Sequence, residues 1–286
     1  MKSKKILFLL VIISIIFSCN INQEEKSEFS HFSEQFSDLK VLRYQIPGFD
    51  KLTLNQKKFV YYLTEAGLYG RDIMYDQNYR HNLKIRRALE NIYLNFNGNK
   101  NDKQWKSFEI YLKRIWFSNG IHHHYSNDKF DPDFSQEYLK NLMNETNTEL
   151  NNQVFDLIFN DVDSKKVNRD KSKGIIIGSS VNFYDPDITE EEVENFYNNI
   201  KVPDPKKPIS LGLNSKLVRE DGVLKEKVWK KGGMYSESIE KIIENLEIAK
   251  KYAENKKQAD ALGLLIKYYE TGDLKIWDDY NVAWVE

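Results

Sequence analysis

A chain of 286 residues that is 41% apolar and carries 17 Tyr and 16 Phe is long enough to bury one large core or two smaller ones. Its formal net charge of −1, with both signs interspersed, leaves no basic stripe of the kind that follows a phosphate backbone, which argues against nucleic acid as a partner. Cys19 is the single cysteine, so neither an internal disulfide nor a thiolate zinc site can form within the chain.

The N-terminus reads as an export address. Lys2, Lys4 and Lys5 form a basic segment, and Ile6 to Phe17 is apolar apart from Ser14, a run too short to cross a bilayer comfortably. Ile16-Phe17-Ser18-Cys19 resembles the bacterial lipobox, in which cleavage precedes a cysteine that is then acylated. Residues 1–18 are therefore predicted to be a lipoprotein signal peptide and Cys19 the lipidation site. That reading puts the protein in the cell envelope, on the outer membrane or the periplasmic face, held to the membrane by an N-terminal lipid. An uncleaved N-terminal anchor is the competing reading. Residues 19–40, polar and without steady periodicity, suit a tether, and residues 41–286 a folded body that begins near Val41-Leu42.

Helical signals dominate the body. Thr53 is placed to cap a helix carrying Phe59, Leu63, Ala66 and Leu68, with Gly67 and Gly70 near its end. Asn78 to Phe96 reads as a second helix with Leu83, Ile85, Leu89, Ile92 and Leu94 apolar. Trp105, Phe108, Tyr111, Leu112, Ile115 and Trp116 recur at spacings of three and four and predict a third, which stops at Asn119-Gly120. Tyr138–Met143 and Val154–Phe159 predict shorter helices.

The middle of the chain changes character. Gly174–Phe183, rich in β-branched residues, predicts a strand. Thr189 with Glu192 forms a capping-box pattern that opens a helix to about Ile200, and the prolines of Lys201–Pro208 require an irregular connection. Leu211–Arg219 and Val223–Trp229 flank Asp221-Gly222, a hairpin signal. Ser236 to about Tyr269 returns to helix, broken near Asn255. The predicted class is α+β, a mainly helical lobe with a small antiparallel β region.

Few residues offer catalytic chemistry. His122-His123-His124 invites a metal, but consecutive residues of an extended segment point to opposite faces, so only His122 and His124 can share an ion. A catalytic zinc takes three protein ligands, and no HExxH or HExxGH helix exists in the sequence. No metal site is assigned, and backbone-bonded or cleft-lining histidines are the expectation. Gly178-Ser179-Ser180 lacks the second glycine of a nucleophile elbow. Glu65, Asp72, Asp76 and Glu90 read as surface charge on helices, so no catalytic residue is assigned. Trp105, Trp116, Trp229 and Trp277 read as core, whereas Tyr125 and Trp284, in or near polar irregular segments, are the cleft candidates; for Trp284 the core remains the favoured reading.

Several blocks, in order, carry a family likeness: YYLTEAGLYGRDIMYDQNYRHNLKIRRALE, WKSFEIYLKRIWFSNGIHHHYSNDKFDPDF, SVNFYDP, ISLGLNSKLV and KVWKKGGMY. Together they resemble bacterial dipeptidyl peptidase III enzymes, from about Gln45 to Glu286. The resemblance implies a two-lobed zinc exopeptidase that removes dipeptides from peptide N-termini, with a helical lower lobe containing a small β-barrel. It also implies that the zinc ligands and the general-base glutamate belong to an upper, C-terminal catalytic lobe that these residues do not include. No cofactor is then held by this chain, zinc being that of the full-length family. The chain alone is expected to be inactive, its partners being short peptides and the catalytic lobe. From the same likeness Asn119, Gly120, His122, His124, Tyr125 and Trp284 are expected to face bound peptide. The alternative is a lipid-anchored, non-catalytic peptide-binding module.

Overall fold

The computed structural model describes residues 29–161, 166–202 and 204–286. The predicted signal peptide and Cys19 lie outside them. The chain divides into two units, Met1–Pro47 and Gly48–Glu286.

In the first unit, β1 (Phe32–Phe36) and β2 (Leu39–Leu42) form an antiparallel hairpin, with Phe36 opposite Leu39 and a register shift between Phe32 and Glu34. Ser37 turns the chain with a φ of 49°. Residues 32–36 are thus a strand where an irregular tether was predicted, and Val41-Leu42 belong to this hairpin and not to the larger unit. The polar composition hid it because both strands leave most of their side chains in water.

The second unit is mainly helical. Its helices are α1 (Leu54–Tyr69), α2 (Arg71–Asn78), α3 (Asn82–Asn95), α4 (Lys103–Ser118), α5 (Gln136–Glu145), α6 (Asn152–Phe159), α7 (Glu190–Asn198), α8 (Ser236–Lys250), α9 (Lys256–Thr271) and α10 (Leu274–Val285). Short polar side chains set their starts. Thr53 with Gln56 and Thr189 with Glu192 make reciprocal capping boxes, and Asp102, Ser135, Asn151, Asn255 and Asp273 each accept from the first turn they open. The hairpin of β3 (Ser215–Glu220) and β4 (Val223–Val228) pairs Glu220 with Val223 across Asp221-Gly222. Both turn residues have positive φ, 53° and 79°, as a two-residue turn between right-twisted strands requires. Its first strand begins later than predicted, because Leu211–Asn214 are turns.

Two cores form. The first draws Ile85, Leu89 and Ile92 of α3, Trp105, Phe108, Leu112 and Ile115 of α4, and apolar residues of α5 and α6 together. Trp105 lies at its centre, 4.6 Å from the Phe96 ring in a stacked arrangement. The second joins Phe59 and Ala66 of α1 to Ile239, Ile242, Ile243 and Leu246 of α8 and to Leu262 and Ile266 of α9.

Further predicted elements differ. The helix expected over Asn78–Phe96 is interrupted: Tyr79 is extended (φ −163°), and Arg80 donates its backbone N–H to Ser180 and its guanidinium to the Ser179 carbonyl. Leu94 in α3 is 76% exposed and outside the core. Gly174–Phe183 is a series of turns and not a strand. Gly174 has a φ of 74°, Gly178 donates back to it, and Ser179 Oγ donates to the Ile175 carbonyl, which curls the start of the segment; only its end meets β3, where Phe183 accepts from Leu217 N at 2.9 Å. Helix α10 lies beyond the predicted helical region.

Of the carboxylates read as surface charge, Asp72, Asp76 and Glu90 are structural partners. Asp72 takes hydrogen bonds from Arg86 at 2.6 Å and Arg87 at 2.7 Å, and Glu90 accepts from the Trp116 indole at 2.8 Å. Asp76 accepts from Asn182 at 2.8 Å and from the Tyr235 hydroxyl at 2.6 Å.

Candidate functional site

The loop that follows α4 is a built structure. Helix α4 ends with Asn119 in the left-handed region (φ 54°), and both Asn119 and Gly120 donate to the Ile115 carbonyl. Asn82, at the start of α3 and 1% exposed, clamps the exit: its Oδ1 accepts from Ile121 N at 3.0 Å and its Nδ2 donates to the Asn119 carbonyl at 3.2 Å. Gly120 has a φ of 148°, and a Cβ there would land inside the Asn82 amide, so the position demands glycine.

Beyond Gly120 the chain doubles back on itself. Phe130 N donates to Ile121 O at 2.8 Å, His122 bridges to Lys129, and His123 N donates to Asp128 O at 2.8 Å. Lys129 fixes the returning limb, its ammonium donating to the carbonyls of Leu157, Ile158 and Asn160 at the end of α6. Asn127 and Val167 exchange two hydrogen bonds, and Lys166 donates to the His123 carbonyl at 3.3 Å. Burial holds the Lys166 amine below the ordinary lysine range.

Rings crown this loop. The His123 and His124 centroids are 4.4 Å apart, those of His124 and Tyr125 4.1 Å, and Phe117 meets His124 edge-on at 5.3 Å. Tyr125 N donates to His123 Nδ1, so that nitrogen acts as an acceptor. Tyr125 is 89% exposed, leaving a ring face and a hydroxyl for a ligand.

The residues singled out from sequence thus take different places. Asn119, Gly120, His122, His124 and Tyr125 share one loop, but Gly120 and His122 are buried, His122 lying edge-on to Tyr79 at 4.9 Å. Tyr125 is the exposed member and His124 is half-buried beneath it. Trp284, half-exposed on α10, borders a separate cleft with Asn255, Gln258 and Ala261, which none of the loop residues line. Asn82, Phe117, Asn127 and Lys166, which build the loop, carry no sequence signal; their roles exist only once α3, α4 and the 166–168 segment are brought together.

Among the described residues no three His, Cys, Asp or Glu side chains are placed to hold a metal ion, so these residues do not fit a zinc site. Ser179 is buried and engaged, accepting from Asn168 N and donating to Ile175 O. No helix among the described residues is long and apolar enough to cross a membrane.

With this geometry described, the class of fold is that of a mainly helical α+β lobe of dipeptidyl peptidase III type. The chain superposes on the structure of DPP III from Caldithrix abyssi with a TM-score of 0.51 and 20% identity, over 82% of this chain and 34% of that one. It therefore spans about a third of that structure's length. Residues 210–286 match the model of peptidase family M49. No curated protein matches the sequence.

Proposed function

We propose that this chain forms the peptide-facing, non-catalytic part of a dipeptidyl peptidase III-like zinc peptidase, which removes dipeptides from peptide N-termini. The match of residues 210–286 to the peptidase family M49 model carries this reading, and the fold likeness supports it. The sequence contains neither HExxH nor HExxGH, so zinc chemistry would come from other residues. What these residues offer instead is a rigid loop with exposed rings. In this reading Tyr125 and His124 contact the peptide, while Asn119, Gly120 and His122 hold the loop in shape behind them. Trp284 is a second peptide-facing ring. A lipid on Cys19 and a place in the cell envelope belong to the same proposal and rest on the N-terminal sequence.

Calorimetry of the purified chain with short peptides, alongside a zinc-supplemented dipeptidyl-arylamide assay, tests this. Saturable binding that Tyr125→Ala weakens without changing the unfolding midpoint is expected, with no arylamine released. Zinc-dependent arylamine release by this chain alone would overturn the non-catalytic assignment. A folded chain that binds no peptide would remove the peptide-facing role.

A further inference from the structure

The sequence contains two Asn-Gly pairs, Asn97-Gly98 and Asn119-Gly120, and the structure treats them in opposite ways. Asn-Gly is the dipeptide most open to intramolecular attack by the glycine nitrogen on the asparagine side chain, since no Cβ obstructs the approach. Asn97 and Gly98 lie exposed in the connection between α3 and α4. The Asn97 amide donates only to the nearby Asn95 carbonyl, at 3.1 Å, and among the described residues the Gly98 N–H has no protein partner. Gly120 differs in every respect. It is buried, its N–H donates to Ile115 O at 3.0 Å, and Asn82 holds the carbonyl before it and the N–H after it.

We infer that Asn97 is a site of spontaneous deamidation and isoaspartate formation, and that Asn119 is protected from the same reaction by the Asn82 clamp. The Gly98 nitrogen loses its proton and bonds to Asn97 Cγ; the Cγ–amide bond breaks, and ammonia leaves with the proton. Water then opens the succinimide at either carbonyl, giving aspartate or isoaspartate, with no change of oxidation state. At Asn119 the attack requires local opening first, and each ~1.4 kcal/mol of opening cost slows it about tenfold. The product also bears on the fold. Isoaspartate routes the backbone through an extra methylene between Phe96, which stacks on Trp105, and Asp102, which caps α4.

Incubating the purified full chain in mildly alkaline buffer, followed by peptide mapping and labelling with isoaspartyl methyltransferase, tests this. In the native chain the Asn97 peptide is expected to lose its unmodified form and take up label, with the Asn119 peptide unchanged. In denaturant both peptides should convert at similar rates. Asn97→Gln should abolish the native-state label, and partial loosening by Asn82→Ser should bring label to Asn119. Native-state conversion of Asn119 as fast as that of Asn97 would overturn the inference. So would an Asn97 that stays intact in the native chain while converting in denaturant.

Discussion

Replacing Asn82 with alanine removes one small side chain and leaves two backbone groups, one buried and one partly buried, without partners. The Ile121 N–H loses its acceptor at 3.0 Å and the Asn119 carbonyl loses its donor at 3.2 Å. A buried polar group left unpaired costs about 1–3 kcal/mol, and because Asn119 is only partly buried, water recovers some of its share; the expected loss is about 2–4 kcal/mol. Gly120→Ala strains the same clamp from the other side, through a positive φ and a Cβ that collides with the Asn82 amide. The two substitutions should therefore be non-additive, since Asn82→Ala makes room for that Cβ. Urea unfolding followed by tryptophan fluorescence measures each effect as a lower midpoint at an unchanged slope. An Asn82→Ala chain within about 0.5 kcal/mol of the parent, the range of an ordinary surface change, would refute the clamp.

Trp105→Ala should cost about 3–5 kcal/mol in the same titration, since the indole is 2% exposed and packed among rings; a loss below about 1 kcal/mol would contradict its central place. At Asp72 burial opposes the charge, but hydrogen bonds from Arg87 and Arg86 outweigh it and hold the carboxyl below the ordinary aspartate range. Such a group favours the fold above its unfolded-state pKa, and this stability is lost as pH falls through the folded value. Asp72→Asn should thus flatten the acid limb of the stability profile, and an unchanged limb would count against the pair. Burial, reinforced by neighbouring Tyr269, pushes the Tyr268 phenol up to about 12, and burial raises Tyr111, Tyr197 and Tyr235 as well. Their contribution is complete below the unfolded-state pKa and is lost as pH rises through the folded values. Absorbance titration should show these phenols ionising only with unfolding; a single step for every tyrosine in a still-folded chain would contradict their burial.

What the sequence made legible follows physical range. Capping at Thr53 and Thr189, the Asp221-Gly222 turn and the periodicity of α4 are local, and each was read correctly because the residues that decide it lie within a few positions. The run Gly174–Phe183 differs because its β-branched residues suggest a ladder, whereas its backbone bonds close internal turns and reach Gln77, Arg80, Lys166 and Leu217, partners visible only in the fold. Tyr79–His81 break the expected helix for the same reason. At the candidate site, the end of α4 at Asn119-Gly120 was legible. The burial of Gly120 and His122 was not, since it depends on Asn82, 38 residues before Gly120 in a different helix. Tyr125 was read as a cleft ring from its polar neighbours, and the structure leaves its face open to water.

The Asp76 carboxylate has a kinetic consequence. Its partners Asn182 and Tyr235 lie 106 and 159 residues along the chain, and both bonds can form only after large loops have closed. The helices of the first core, which follow one another along the chain, need no such closure to begin packing, whereas α1 and α8 of the second core meet across a loop of comparable length. Asp76 is therefore expected to act as a latch set late in folding: Asp76→Ala should leave the folding arm of a chevron nearly unchanged and raise the unfolding arm. A slowed folding arm would place the latch early instead. On this view all of the stability that this one carboxylate contributes is expressed in the lifetime of the folded chain.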